Sequence, residues 1–255
     1  MKTNKIYNEN CIGTMSRMPD GFVDLTVTSP PYDNLRTYNG YSFDFEPIAR
    51  ELYRVTKEGG VVAWVVGDAT IKGSETGTSF KQALFFKECG FNLHDTMIYR
   101  KSSYPPSDPR QPRYYQEFEY MFVFTKGKPI KCNHIKVKCK TAGTKKRSYQ
   151  RKKNGDIRQD RKDLVTITKD EKIKGNIWTY NPSRNGHPAP FPEQLANDHI
   201  ISWSNEGDLV YDPFMGSGTT AKMAKLNNRN YIGSEISEEY CKIAEERINK
   251  HDLFS

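Results

Sequence analysis

The sequence lacks any long apolar run. Its longest, Val61 to Val66, falls far short of the ~20 residues needed to cross a bilayer, so no membrane span is expected. The opening residues, MKTNKIYNEN, contain no apolar core of a secretory signal, and a cytoplasmic setting is the expectation. Cysteine is scarce. The five present, Cys11, Cys89, Cys132, Cys139 and Cys241, are odd in number and scattered, which argues against a disulfide framework. Cys132, His134 and Cys139 lie close together, but C-x6-C with one histidine between is not a zinc spacing, and no metal is expected. Also missing is GxxxxGK[ST], the loop that cradles nucleotide phosphates.

Acidic charge is what one segment lacks. Between Lys126 and Lys174 there are 18 Lys and Arg against 5 Asp and Glu, a local excess of 13 positive charges. The formal net charge of the whole chain is only +8, so the remainder, with 21 basic and 26 acidic residues, is itself acidic. A short basic cluster is ordinarily a solvated face, and a lysine-rich insertion can stay disordered. A stretch this long on an acidic body instead suits a polyanion, and nucleic acid is the main candidate.

Outside that segment the chain alternates as α/β proteins do. Gly21–Thr28 reads as a buried strand, Phe45–Thr56 as a helix closed by Gly59-Gly60, VVAWVV as a second strand and Ser79–Cys89 as a second helix. His94–Arg100 and Glu119–Thr125 read as further strands. Within the basic segment only Val165–Thr168 does. Order returns with the helix PEQLANDHIISWS, the strand DLVYDPF, the turn GSGTT, a helix TTAKMAKLNN, the strand YIGSEI and a last helix from Ser237. Such β-turn-α-β-α units imply parallel pairing and an open twisted, mostly parallel sheet with helices on both faces. The predicted division is a first half at 1–125, a basic insertion at 126–177 and a second half at 178–255.

Two motifs carry chemistry. DPFMGSGTT, Asp212 to Thr220, places Gly216 and Gly218 in a strand-turn-helix where backbone can approach a ligand closely. The following strand ends in Glu235, an acid at a strand tip that can take both hydroxyls of a ribose. The dinucleotide fingerprint GxGxxG is incomplete, since alanine stands at its third glycine. Asp212 would repel a pyrophosphate but could pair with the ammonium of an amino-acid-bearing nucleoside such as S-adenosylmethionine.

The second motif is S-P-P-Y, Ser29 to Tyr32. Two prolines after a strand also serve simply to end it. Here they bias Ser29 towards an extended conformation at the strand's C-terminal end, where such sheets bind ligands, and they remove two N–H donors. A serine hydroxyl and the Pro30 carbonyl could accept the two hydrogens of an exocyclic nucleobase amine, with Tyr32 stacked on the base. That base would have to leave the helix.

With both motifs in hand the chain resembles the amino-directed DNA methyltransferases. SPPY is similar to their catalytic motif and DPFMGSGTT to their S-adenosylmethionine motif. The order, catalytic motif first and basic insert between, resembles the circularly permuted β group. NENC at Asn8–Cys11, FVDLTVTSPPY, the Gly59–Val66 strand and HPAPFPEQL at His187–Leu195 extend the likeness over nearly the whole chain. The resemblance implies a Rossmann-like methyltransferase fold and S-adenosylmethionine as cofactor. It implies that Ser29, Pro30 and Tyr32 hold the target base, and that Asp212, Phe214, Gly216, Gly218, Thr219 and Glu235 hold the cofactor, with Phe191 and Cys11 near its adenine. The insertion would be the target-recognition region on double-stranded DNA, through Lys145, Lys146, Arg147, Arg151, Lys152 and Lys153. Arg36, Arg110 and Arg113 are further phosphate contacts to expect.

Serine at the first motif position is typical of cytosine-N4 enzymes and aspartate of adenine-N6 enzymes, so N4 is expected by that tendency, with N6 as the alternative. No cysteine follows a proline, which leaves methylation of a cytosine ring carbon unsupported. A non-catalytic basic DNA-binding protein is the reading from another class. Methylation of RNA or of a protein amide is a third, for which Asn-Pro-Pro-Tyr would be the expected motif. The setting implied is the cytoplasm, on DNA, for a bacterial, archaeal or phage-encoded protein. A separate restriction endonuclease and a homodimer stay open as partners, and no PD-(D/E)xK nuclease motif stands in this chain.

Overall fold

The structure is a computed structural model that describes residues 1–31, 44–103, 112–148, 154, 164–182 and 192–250. In chain order the elements are β1 (Lys5–Asn8), α1 (Cys11–Ser16), β2 (Val23–Thr28), α2 (Phe45–Val55), β3 (Thr56–Val66), β4 (Thr70–Ile71), β5 (Ser74–Glu75), α3 (Thr78–Glu88), β6 (Asn92–Lys101) and β7 (Phe118–Thr125). There follow β8 (Lys136–Lys138), β9 (Lys145–Ser148), β10 (Leu164–Ile167), β11 (Glu171–Ile173), β12 (Ile177–Tyr180), α4 (Glu193–Trp203), β13 (Leu209–Asp212), α5 (Thr219–Leu226), β14 (Asn230–Glu235) and α6 (Glu238–Asn249). Among the described residues no helix is long and apolar enough to cross a membrane.

Eight strands form the main sheet in the order β1-β14-β13-β2-β3-β7-β6-β12. Every neighbouring pair is parallel except those of β7, which runs against β3 and β6. Residues 60 to 66 of β3 are all buried, so both faces of the strand are covered. On one face Val62, Trp64 and Val66 meet Met15 of α1, Ile48 and Leu52 of α2 and Phe86 of α3. Val61, Ala63 and Val65 point to the other face. There α4, α5 and α6 pack on one another and against β2, β13 and β14. Trp64 meets Phe86 edge-on at 5.1 Å, and its indole N–H donates to Gln82 Oε1 at 2.9 Å, so this large buried ring leaves no polar atom unpaired. Burying such a side chain contributes about 1.5–3 kcal/mol.

Gly59-Gly60, expected to close the second predicted element, lies inside β3 instead. α2 has already ended at Val55, where Thr56 turns extended at φ −71° and ψ 132°. Register between β2 and β3 slips from Val23↔Thr56 to Leu25↔Val61, so Lys57–Gly60 form a bulge. A Cβ on Gly59, at φ +75°, would stand 2.7 Å from Ile130 Cγ2, which is why glycine sits there.

Residues 134–175 form a compact unit separate from 1–133 with 176–255. In it β8 pairs antiparallel with β11 and β9 antiparallel with β10. The pairings are nested, Lys136↔Ile173 outside and Lys145↔Ile167 inside. Cys139 N donates to Asp170 O at 2.7 Å and Thr168 N to Thr144 O at 2.9 Å between them. The unit is therefore one interrupted two-stranded ribbon. The sequence signals only its inner return strand, because the other segments are three or four residues long and lysine-rich. On the main body, Lys131 is held by Asp24 Oδ1 at 2.9 Å and Asp208 Oδ2 at 2.6 Å. Asn133 N donates to Ser202 O at 2.8 Å.

Candidate active site

The sheet has one place where adjacent parallel strands lead in opposite directions. From β13 the chain passes through α5 to β14 on one side; from β2 it passes through α2 to β3 on the other. Such a switch point opens a crevice at the C-terminal strand ends, where open α/β sheets bind ligands. Ser29 and Pro30 follow the end of β2, and DPFMGSGTT starts at Asp212, the last residue of β13, so the fold brings the start of the first motif beside the second.

Thr28, last residue of β2, donates its hydroxyl to Asp212 Oδ1 at 2.6 Å across that boundary. The same oxygen accepts from Phe214 N at 3.0 Å. Asp212 is 5% exposed. Burial pushes its carboxyl up to about 6; hydrogen bonds from Thr28, Thr220 and Phe214 restrain the rise, and the charge of Glu235 adds to it. Ser29 is half-buried and Pro30 buried just beyond Thr28.

Glu235, at the tip of β14, accepts from Gly216 N at 2.8 Å through Oε2 and from Ser237 N at 2.8 Å through Oε1. Burial raises its carboxyl too, against those backbone donors. Each oxygen keeps a second lone pair, so ligand hydroxyls can still be accepted. Asn8, at the end of β1, donates to Glu235 O at 2.9 Å and Ile236 O at 3.1 Å, fixing the strand tip. Gly216 and Gly218 have φ of 50° and 81°, left-handed conformations that shape the turn. At Gly218 an added Cβ would lie 2.7 Å from Ala244 Cβ, so α6 presses directly on the turn. Thr219 begins α5 and is buried; Phe214 is half-buried, its ring 6.1 Å from that of Trp64.

Cys11 begins α1 and is buried, its thiol pushed up to about 12 by burial and hence neutral. Lys145 is exposed at the start of β9; Lys146 and Arg147 follow in that strand, opposite Thr166 and Val165 of β10. Arg113 donates to Gly73 O and lies 3.8 Å from Glu75 Oε1, so it already has partners within the chain. Tyr32, Arg36, Arg110, Arg151, Lys152, Lys153, Phe191 and the segment 187–190 lie outside the described residues. Sequence alone marks no site role for Thr28, Asn8 or Ser237, although Asn8 opens the NENC likeness and Ser237 the last predicted helix. Thr28 directly precedes the SPPY motif, and a polar residue at a buried strand end was the available signal.

The family model described as DNA methylase, of the N6/N4 type, matches residues 23–246. An orphan methyltransferase, M.BamHII of Bacillus amyloliquefaciens, is 60% identical over 91% of this chain and 91% of its own. The type II methyltransferase M.BglII of Bacillus subtilis is 29% identical, over 94% of this chain and 68% of its own. In fold, the chain is similar to PvuII DNA methyltransferase (cytosine-N4-specific), with TM-score 0.74 and 20% identity, covering 97% of this chain and 86% of that one. It is also similar to M1.HpyAVI solved as a SAM complex, with TM-score 0.64 and 20% identity over 96% and 98%. With the motif order, the switch-point crevice and a family match across most of its length, the chain belongs to the N6/N4 DNA methylase family.

Proposed function

We propose that this chain moves a methyl group from S-adenosylmethionine to the exocyclic amine of a target base in double-stranded DNA, cytosine N4 being favoured. The observation that carries this reading is the 2.6 Å bond from Thr28 to Asp212, which ties the strand leading into SPPY to the strand leading into DPFMGSGTT. A base amine held by the first motif and a donor held by the second would then meet in one crevice.

The residues fit the donor. Asp212 is buried and Glu235 half-buried at the ends of neighbouring strands, both carboxyls raised by burial and Asp212 further by Glu235. A ligand with a cationic amino-acid portion and a ribose relieves both. Asp212 would take the ammonium, Glu235 the ribose hydroxyls, and the turn at Gly216, Gly218 and Thr219 would let backbone approach. Phe214, Phe191 and Cys11 would border the adenine. When bound, the donor supplies an electrophilic methyl on a sulfonium.

Ser29 Oγ and the Pro30 carbonyl would accept the two hydrogens of the target amine. That draws the nitrogen out of conjugation and aims its lone pair at the methyl, while Tyr32 stacks on the flipped base. The Ser–Pro–Pro–Tyr form of the motif supports cytosine by family tendency, as does the cytosine-N4 specificity named for the PvuII enzyme. Adenine N6 is the second reading, because both bases show the same amine beside a ring nitrogen.

The ribbon at 134–175 supports the DNA-contacting role of the insertion. Paired strands lie about 4.8 Å apart, so a two-stranded ribbon with its side chains suits a major groove ~12 Å wide and not a minor groove ~6 Å wide. Lys136, Lys138 and Lys145 are exposed along it. A solitary enzyme is favoured over one with a companion nuclease, because the relative at 60% identity is named an orphan methyltransferase.

The test is to incubate the chain with methyl-labelled S-adenosylmethionine and DNA, digest to nucleosides and identify the labelled one. Label on N4-methylcytosine is expected. Label on N6-methyladenine would overturn the choice of base, and label on neither would overturn catalysis.

A further inference from the structure

The turn that bears Gly216 and Gly218 is braced from behind by side chains that neither motif contains. Two glycines at positive φ shape this turn without side chains to fix it, and its helix, α5, is capped by a glycine with no side-chain bond. Ala244 of α6 sets the distance to Gly218. One helical turn further, Arg247 donates to the Ser217 carbonyl, to Ser217 Oγ at 2.6 Å and to Thr219 Oγ1 at 3.5 Å. Its other terminal nitrogen lies 2.7 Å from Glu193 Oε1, the first residue of α4, and that same oxygen accepts from Lys222 of α5 at 2.7 Å.

A cation beside a helix N-terminus is opposed by the helix dipole. Here Glu193 offsets it, and the three side chains are only 18%, 34% and 15% exposed for Arg247, Glu193 and Lys222. Burial raises the Glu193 carboxyl, but the bonds from Lys222 and Arg247 win and hold it low, so it stays an anion at neutral pH. The guanidinium fork is thereby aimed at the turn rather than at solvent. Three helices, α4, α5 and α6, converge through these side chains on the outer side of the glycine turn.

We propose that Arg247, oriented by Glu193, is a positioning residue for the methyl donor: it holds Ser217 and Thr219 so that the glycine turn is already in its ligand-ready shape. This rests on the donor reading above. A brace of this kind lowers the ordering cost of binding without touching the reacting atoms. Its signature is a selective loss of donor affinity.

The experiment compares Arg247→Ala, Arg247→Lys, Glu193→Gln and the Arg247→Ala/Glu193→Gln pair in the full chain. It measures S-adenosylmethionine affinity by calorimetry, KM for donor and for DNA, kcat at saturating donor, and Tm. Arg247→Ala is expected to weaken donor binding and raise donor KM by about tenfold, leaving kcat and DNA KM within about twofold. Arg247→Lys should recover part of that loss, and the double variant should be no worse than Arg247→Ala alone. Lys242→Gln, an exposed residue of α6 paired with Glu238, serves as control and should change nothing. Donor affinity within twofold of wild type in Arg247→Ala, with lowered Tm, would overturn the proposal by showing plain packing. A wild-type chain that binds no S-adenosylmethionine would overturn the donor reading beneath it, a result distinguishable because it precedes any substitution.

Discussion

Thr28 and Asp212 stand 184 residues apart in sequence, yet the hydroxyl of one donates to the carboxylate of the other at 2.6 Å. The bond ties the strand of one motif to the strand of the other, and it lowers a carboxyl that burial has raised. Removing it has a readable consequence. Thr28→Val keeps the shape and deletes the donor, so the Asp212 carboxyl should rise further above 6. The pH at which donor affinity is half lost should move up with it, as titration calorimetry across pH 5–8 would show.

Asp212 itself gives a paired expectation. Its folded value, about 6, exceeds the ordinary 3.8, so its contribution to folding is complete below 3.8 and is lost as pH rises through 6. That shift corresponds to about 3 kcal/mol at neutral pH. Asp212→Asn should therefore make the ligand-free chain more stable at pH 8, by up to about 3 kcal/mol in urea unfolding. It should also weaken S-adenosylmethionine binding and erase its pH dependence between 5 and 7. In the wild type, affinity should fall by up to tenfold per unit below pH 6, because only the carboxylate pairs with an ammonium.

Ser29→Ala separates the two motifs by function. The role proposed for the serine is at the base, so donor affinity should hold while kcat for DNA methylation drops, by roughly a hundredfold if the missing acceptor is needed mainly in the transition state. Single-turnover rates with DNA in excess would report it. An unchanged rate would remove Ser29 from the mechanism.

Gly218→Ala tests the turn. At φ +81° any side chain is strained, and its Cβ would meet Ala244 Cβ at 2.7 Å and Cα at 3.0 Å. A cost of about 1–3 kcal/mol is expected, with donor affinity reduced, measured by thermal unfolding with and without S-adenosylmethionine.

On the ribbon, Lys138→Gln and Lys145→Gln should each lessen DNA affinity at low salt. Each should also reduce the slope of log K against log salt by about 0.9 if the lysine meets a phosphate. Donor binding should be untouched. A major-groove ligand should compete with the chain for DNA, and a minor-groove ligand should not.

The sheet was legible because its strands are apolar runs bounded by glycine and proline: VVAWVV, FVDLTV and DLVYD all became central strands. Gly59-Gly60 misled because a glycine pair after a helix and a glycine pair in a bulge look alike locally. Only the slipped pairing of β3 on β2 distinguishes them. The ribbon was largely hidden, since Lys136–Lys138 and Glu171–Ile173 are three residues each, too short to show a period, and only Val137 among them is even half-buried. At the crevice the glycines and acids could be read from spacing. The roles of Thr28, Asn8 and Arg247 depend on partners that only the parallel sheet or helix packing brings near, whereas Ser237 meets Glu235 two residues away through a backbone N–H that no side-chain pattern marks.

The nested pairing of the ribbon, Lys136 opposite Ile173 at its base, brings the two ends of the unit together one strand spacing apart. To the host sheet such an insert is a closed loop whose length hardly matters, since loop entropy grows only logarithmically. The ribbon can therefore lengthen, shorten or change its side chains while β12 and Asn133 keep their places on the main body. If the ribbon reads DNA as proposed, the architecture would separate what is read from what is done, so that new target preferences could arise with the crevice left intact.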